Sequence, residues 1–368
     1  MRKAAFICSP ALWEYGHGDA HPLRPERLRM TYELLDAYRA WGSETSQLYE
    51  PPMATEQELA LWHTPDYIEA VRRLGAGDRG VPAWKYHFAP GDNPVFPGMY
   101  ESEALKAGST LLAARLVLKH EVDVAFSFSG GMHHAMSNYA SGFCVFNDPA
   151  IACRWLVDQG ARVAYVDVDA HHGDGVQAAF YDDSRVMTIS LHESGRYLFP
   201  GTGFVEELGS GPGEGTSINL PLLPYTEDEV YWYAFSSIVP PLVARFAPDV
   251  LVTQLGTDTH YLDPLTHLQL TTAGYTAVVH AFREMDLPWL ATGGGGYHVS
   301  TVARSWALAY GIMSDQRLPD AIPDAYAERY GDQWLHDRQA PVVPQRYLDS
   351  ARAHAENRVA ELQRALKL

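Results

Sequence analysis

Between residues 164 and 176 the chain reads AYVDVDAHHGDGV, with three aspartates and two histidines in the eight positions from Asp167 to Asp174. An apolar run precedes them, so they stand at the end of a buried strand. Unpaired carboxylates are costly to bury, and several together are worse. A bound divalent cation offsets that cost. Alternate residues of an extended strand share a face, so Asp167, Asp169 and His171 are expected to point the same way. Two carboxylates and an imidazole suit a catalytic zinc site, where three protein ligands leave one position open. A donor from a second strand end would complete the set. Asp258, directly after the apolar run PDVLVTQLG, is the better candidate; Asp263, deeper in a loop and before Pro264, is the poorer one. The competing reading is a turn-and-cap cluster, with Asp174 capping a helix that starts near Gly175. Capping accounts for any one of these residues but does not call for consecutive inward-facing acids.

Two further stretches carry chemistry. SGGMHHAM places His133 and His134 behind two glycines that let the backbone turn tightly. A lone histidine is usually a satisfied structural residue. Two adjacent ones beside spare aspartates suit general acid–base work, because a carboxylate on the far ring nitrogen fixes the tautomer and raises basicity. Asp167 and Asp174 are available for that role if Asp169 is a ligand. LATGGGGYHVS runs from Gly293 to Gly296 and then Tyr297. It lacks the spacing and the lysine of a phosphate-cradling loop. A tyrosine carried on such a run suits a hydrogen-bond donor to a developing oxyanion.

These residues need a scaffold. Strand candidates are KAAFICS, VDVAFSFS, RVAYVDVDA, RVMTISLH, TSINLPL, PDVLVTQLG and PWLATGG, alternating with amphipathic helix candidates. Such alternation implies a mainly parallel sheet covered on both faces. The polar residues cluster at the C-terminal ends of five runs, the edge where open parallel sheets carry their ligand crevice. The 368 residues are 46% apolar and 20% charged, enough for one large core. A net charge of −17 argues against a phosphate-binding surface for nucleic acid. No stretch is long and apolar enough for a membrane span, and the opening MRKAAFICSPALWEYGHGD reads as a first strand rather than a signal peptide. Cys8, Cys144 and Cys153 form no CxxC pair and read as reduced thiols of a cytoplasmic protein. The Pro-rich tail from 316 to 368 is expected to pack on the catalytic domain, residues 1–315, and to end in a helix near 345–366.

With HPLRPERLRMTYELL, SGGMHHA, ASGFCVFND, YVDVDAHHGDGV, MTISLHE, FPGTG, GEGTSINLPL, TQLGTDTHYLDPLTHL and GGGGY in hand, residues 15 to 312 resemble the zinc-dependent histone deacetylase family, and within it the bacterial acetoin-utilisation-type deacetylases. The resemblance implies an arginase-like, three-layer α/β domain with about eight strands. It implies hydrolysis of acyl-lysine amides in proteins. Asp169, His171 and Asp258 would bind zinc. His134 would be the general base and His133 its charged neighbour, buttressed by Asp174 and Asp167 respectively, and Tyr297 would polarise the carbonyl. Phe143, beside Gly142, and Phe199 would line a tunnel for the lysine stem. Asp92 would grip the substrate backbone at the rim, and Arg27 would line an inner channel for acetate. A structural potassium is implied beside Asp167, Asp169, His171, Ser190 and Leu191. His172 is left a supporting role. Met132, Leu198 and the rim segment GAGDRGVPAWKYHFAPGDN depart from the eukaryotic pattern and bear on acyl-chain preference and substrate size.

Rival readings follow from the same residues. Ureohydrolases of this fold use two manganese ions and a second acid after each ligand pair. Here Gly173 follows His172 and His260 follows Thr259, so both extra carboxylates are missing. An acetylpolyamine amidohydrolase would share the catalysis and differ in substrate, and an inactive acyl-lysine binder would lack part of the catalytic set. A two-Asp, one-His site accepts ferrous iron as well as zinc. Oligomeric state is open at this point.

Overall fold

Strands form where the apolar runs were read, and one more joins them at an edge. In the computed structural model, which describes residues 2–18 and 20–368, β1 (Ala4–Ile7), β2 (Ser46–Tyr49), β3 (Val124–Ser127), β4 (Val163–Asp167), β5 (Val186–Glu193), β6 (Ser217–Leu222), β7 (Val250–Gln254) and β8 (Trp289–Thr292) make one sheet. Its order is β2-β1-β3-β8-β7-β4-β5-β6, and every pairing is parallel. β2 is SQLY, a polar edge strand with exposed Gln47 and Leu48. Nothing local marks it as a strand; pairing with β1 makes it one.

The helices are α1 (Glu26–Ala37), α2 (Glu56–Leu59), α3 (Pro65–Gly75), α4 (Met99–Leu118), α5 (Asp148–Asp158), α6 (Asp174–Phe180), α7 (Asp228–Phe246), α8 (Thr272–Glu284), α9 (Val299–Met313), α10 (Asp324–Tyr330) and α11 (Gln345–Leu366). Strand side chains alternate between two cores, as the two-residue period requires. Phe6, Phe126, Val166, Ile189 and Leu251 pack with residues of α1, α7, α8 and α9. Ile7, Ala125, Tyr165, Val252 and Leu290 pack with α4, α5 and α6. The result is three layers, helix on sheet on helix. A smaller cluster built on α3 and α4, with Tyr86, Phe88 and Phe96, anchors the rim segment around residues 75–96.

Beyond α9 the chain packs back onto these layers. Ile322, Tyr326 and Leu335 are buried in the α1/α9 core, and α11 lies on α7 and β6. Among the described residues no helix is long and apolar enough to cross a membrane. Cys8, Cys144 and Cys153 are buried and free.

Candidate active site

The five strand ends read from the sequence belong to β3, β8, β7, β4 and β5, which are consecutive neighbours in the sheet. Because all are parallel, their C-terminal loops meet along one edge. β4 supplies the acidic stretch, but it leaves the ladder at Asp167. Beyond that point each acid turns the chain. Asp167 Oδ1 accepts from the Asp169 N–H at 3.1 Å, and Asp169 Oδ1 from the His171 N–H at 3.0 Å. Such side-chain turns end extended structure. Asp167 therefore does not share the ligand face expected of a continuous strand. Its Oδ2 sits 2.8 Å from His133 Nδ1 and accepts from the Tyr165 hydroxyl at 2.6 Å.

Asp169, His171 and Asp258 converge, with ligand atoms all within 4.8 Å of one another. All three are buried. His171 Nδ1 lies 3.1 Å from Asp169 Oδ1 and 2.8 Å from Asp258 Oδ2. Burial, and then repulsion from Asp169, pushes the Asp258 carboxyl up to about 8. Two carboxylates buried this close together call for positive charge between them. A divalent ion satisfies the same demand for positive charge, and the donor set of two hard oxygens and one imidazole fits one. Gly295 lets the backbone close on the trio: its N–H donates to Asp169 Oδ2 at 2.7 Å, and a Cβ there would lie 2.2 Å from Asp258 Oδ2.

The two histidines stand opposite this trio. His134 Nδ1 is 2.7 Å from Asp174 Oδ1. Asp174 is the first residue of α6 but makes no cap hydrogen bond; its carboxylate is turned to the imidazole instead. The two Nε2 atoms lie 3.0 Å apart. Burial alone would lower the pKa of His133, but Asp167 and Asp169 override it and push it up to about 9. Burial and the neighbouring His133 charge lower His134 to about 4. One ring is thus held charged and the other neutral, a division that suits an electrostatic partner beside a base.

Several residues that the sequence did not single out hold this geometry. Asp148 and Asn147, at the start of α5, grip the histidine turn: Asp148 accepts from the N–H groups of Gly131 and Met132, both at 2.9 Å. Asn147 Nδ2 donates to the carbonyls of His133 and Ala135. The signal was present as an N-cap pattern, Asn then Asp-Pro, but not the turn it would meet. Gln254 Nε2 donates to Asp169 Oδ2 at 2.6 Å. Asp263, read as a poorer ligand candidate, instead accepts from the Tyr297 N–H at 2.8 Å and lies outside the trio.

Tyr297 faces the site with its ring 6.3 Å from that of His171. Burial, then Asp258 and Asp169, hold its phenol well above the ordinary range, so it stays a neutral donor. A cavity here is lined by His133, His134, Gly142, Phe143, Asp169 and Tyr297. Phe143 packs edge-on to Tyr297 at 5.7 Å, and Phe199 edge-on to His134 at 5.0 Å. Asp92 is exposed, and its carbonyl is 3.3 Å from His21 Nε2. Arg27 is buried and donates to the carbonyls of Gly294 at 2.6 Å and Gly296 at 3.3 Å. Ser190 and Leu191 lie on β5, with Ser190 in register with Asp167. His172 turns away from the trio, to Thr202 at 2.8 Å and Gln177 at 3.1 Å.

The comparison with known proteins fits this geometry. A family model described as histone deacetylase domain matches residues 21–313. The chain belongs to the histone deacetylase family. It is 40% identical over 362 residues to acetoin utilization protein AcuC of Bacillus subtilis, covering 95% of this chain and 91% of that one. It is 35% identical over 333 residues to histone deacetylase 1 of Homo sapiens, covering 90% and 68%. A crystal structure of an HDAC homolog from Aquifex aeolicus superposes with a TM-score of 0.88 at 32% identity, covering 96% and 100%. This deacetylase is therefore a hydrolase with the arginase/deacetylase fold.

Proposed function

We propose that this deacetylase hydrolyses the N-acetyl amide of lysine side chains in proteins, releasing acetate and free lysine. The observation that carries the reading is the pairing of two carboxylate-backed histidines with the buried Asp169–His171–Asp258 trio beside a neutral Tyr297. In this reading Asp169, His171 and Asp258 hold zinc, or ferrous iron in its place. Bound there, the cation polarises an amide carbonyl and lowers the pKa of a water to about 7.

The chain's own groups do the rest. Asp174 holds His134 by Nδ1, so Nε2 is the atom that takes a proton from the attacking water and later delivers it to the leaving lysine amine. His133, kept charged by Asp167, supplies fixed positive charge next to that proton. The Tyr297 hydroxyl donates to the carbonyl oxygen as negative charge develops on it. Phe143 and Phe199 flank the lysine stem and exclude water, with Asp92 at the rim for the substrate backbone and Arg27 beside the departing acetate. A potassium ion beside Asp167, Asp169, His171, Ser190 and Leu191 belongs to the same proposal. The buried free thiols support a reducing, cytoplasmic setting. We propose further that residues 316–368 are an extension of one catalytic domain, a division supported by their burial against α1, α7 and α9.

The test is a panel of acetyl-lysine peptides and acetylpolyamines offered to the purified full chain, with metal analysis alongside. The expected result is peptide turnover that falls by about 100-fold or more in H134A and Y297F. A clear preference for acetylpolyamines overturns the substrate assignment. Unchanged turnover in both variants overturns the mechanism.

A further inference from the structure

We infer that the segment from Asp332 to Asp337, outside the matched family region, is a strap whose two aspartates are positioning residues for the catalytic edge. The inference rests on the roles proposed above for Asp258 and Tyr297.

The strap reaches both loops that carry those residues. Asp332 Oδ1 accepts from the Ser300 hydroxyl at 2.6 Å, three residues after Tyr297 in the first turn of α9. Asp337 has a side chain only 6% exposed, with Oδ2 2.8 Å from His260 Nε2, two residues after Asp258. His260 Nδ1 accepts from the Leu262 N–H at 3.2 Å, which leaves the proton on Nε2 to donate to Asp337. The Asp337 carboxylate also accepts from the Thr272 N–H at 2.7 Å and from Arg304 at 3.0 Å. Its own N–H donates to the Thr272 hydroxyl at 2.9 Å. Three elements therefore meet on one carboxylate: the Asp258 loop, the start of α8 and the middle of α9.

From there the connection runs into the site. The Asp263 N–H donates to the His260 carbonyl at 2.8 Å, and Asp263 accepts from the Tyr297 N–H at 2.8 Å. Thr257 N–H donates to the Gly295 carbonyl at 2.9 Å. The strap is itself fixed. Leu335 is fully buried, its N–H donates to the Asp320 carbonyl, and its carbonyl accepts from Arg304. A rigid segment thus spans two loops whose separation sets the distance between a ligand and the oxyanion donor. An asparagine at 337 keeps the shape but turns an N–H₂ towards groups that are all donors, so D337N loosens the join without emptying the space.

The experiment measures kcat and KM of full-length D337N, D332A and Y297F on an acetyl-lysine peptide, with zinc retention after dialysis and the thermal midpoint. For D337N the expected result is a fall in kcat of about tenfold or more, with KM within about twofold, because displacement by a fraction of an ångström acts on the transition state and not on the stem tunnel. D332A, which removes the acceptor for the Ser300 hydroxyl, should show the same split, and D337N should lose zinc faster. If D337N does not fold, H260N, which offers an acceptor in place of Nδ1 for Leu262 but no donor to Asp337, carries the test with the same expected split. Wild-type kcat and zinc retention in the folded variants, with only a lower midpoint, reduce the strap to a structural role and overturn the inference. If Y297F is also fully active, the catalytic reading itself falls.

Discussion

Gly142 is the position where a single methyl group most directly tests the site. Its φ is +50°, and Phe143 after it has φ +69°. A Cβ at 142 would lie 2.5 Å from His134 Cδ2 and 2.8 Å from Phe199 Cε1. Non-bonded carbons prefer about 3.5 Å or more, so in G142A each ring has to retreat by roughly 1 Å. His134 cannot do so alone, since Nδ1 is 2.7 Å from Asp174 and Nε2 3.0 Å from His133. A catalytic group misplaced by about 1 Å costs about 100-fold in rate, or roughly 2.7 kcal/mol of barrier. The left-handed backbone adds about 1–2 kcal/mol of instability. The assay is kcat/KM on an acetyl-lysine peptide, with calorimetric unfolding in parallel. G160A is the control: Gly160 has φ +92° with nothing within 4 Å of its Cβ position, so it carries the backbone cost alone. Activity in G142A close to that of G160A would refute the reasoning, because the clash with His134 would then not matter.

Two further outcomes are expected. In G295A a Cβ 2.2 Å from Asp258 Oδ2 and 2.8 Å from Asp169 Oδ2 should weaken zinc binding about 10–100-fold; competition against a fluorescent chelator checks this, and wild-type affinity would count against the trio as the metal site. Acid stability should report His63, which burial lowers from 6.5 to about 3 and whose Nε2 accepts from the Asn147 N–H at 2.9 Å. The unfolded chain takes up that proton near 6.5 and the folded one does not until near 3. Stability is therefore fully present above 6.5 and declines as pH falls towards 3, by up to about 1.4 kcal/mol per pH unit. H63Q should flatten that limb in denaturant titrations; an unchanged slope assigns it to other groups.

Much of the catalytic edge was legible because polar residues after apolar runs are expensive anywhere except at a site. That pattern located Asp169, His171, Asp258, the histidine pair and the glycine run on strand ends that prove adjacent. What stayed unreadable is what depends on distant packing. Asp148 carries a clear helix-start signal, yet only the meeting of α5 with the β3 loop makes it the anchor of the histidine turn. Asp263 looks like a spare ligand until its backbone partner at Tyr297 is seen. The alternation rule overshot here, since side-chain turns end β4 at Asp167, before the Asp169 and His171 that the rule needed on the same strand. β2 has no apolar alternation, and Asp337 sits in a polar, Pro-rich tail whose partners lie 33 to 77 residues away.

The strand order carries a consequence for how the enzyme comes into being. β3, which leads into the two histidines, and β4, which leads into Asp169 and His171, are separated in the sheet by β8 and β7, which come last in the chain. As the chain leaves the ribosome, His133, His134, Asp169 and His171 all exist before the two strands that bring them together. Asp258 and Tyr297, the proposed third ligand and oxyanion donor, come later still in the chain. In the proposed reading, metal loading would follow insertion of the sheet's centre, and a chain cut short before that point would lack part of the site. Long-range central pairing of this kind also makes folding slow, and it leaves the gap between β3 and β4 as the place where an unfinished chain is most open to capture by chaperones or by its own neighbours.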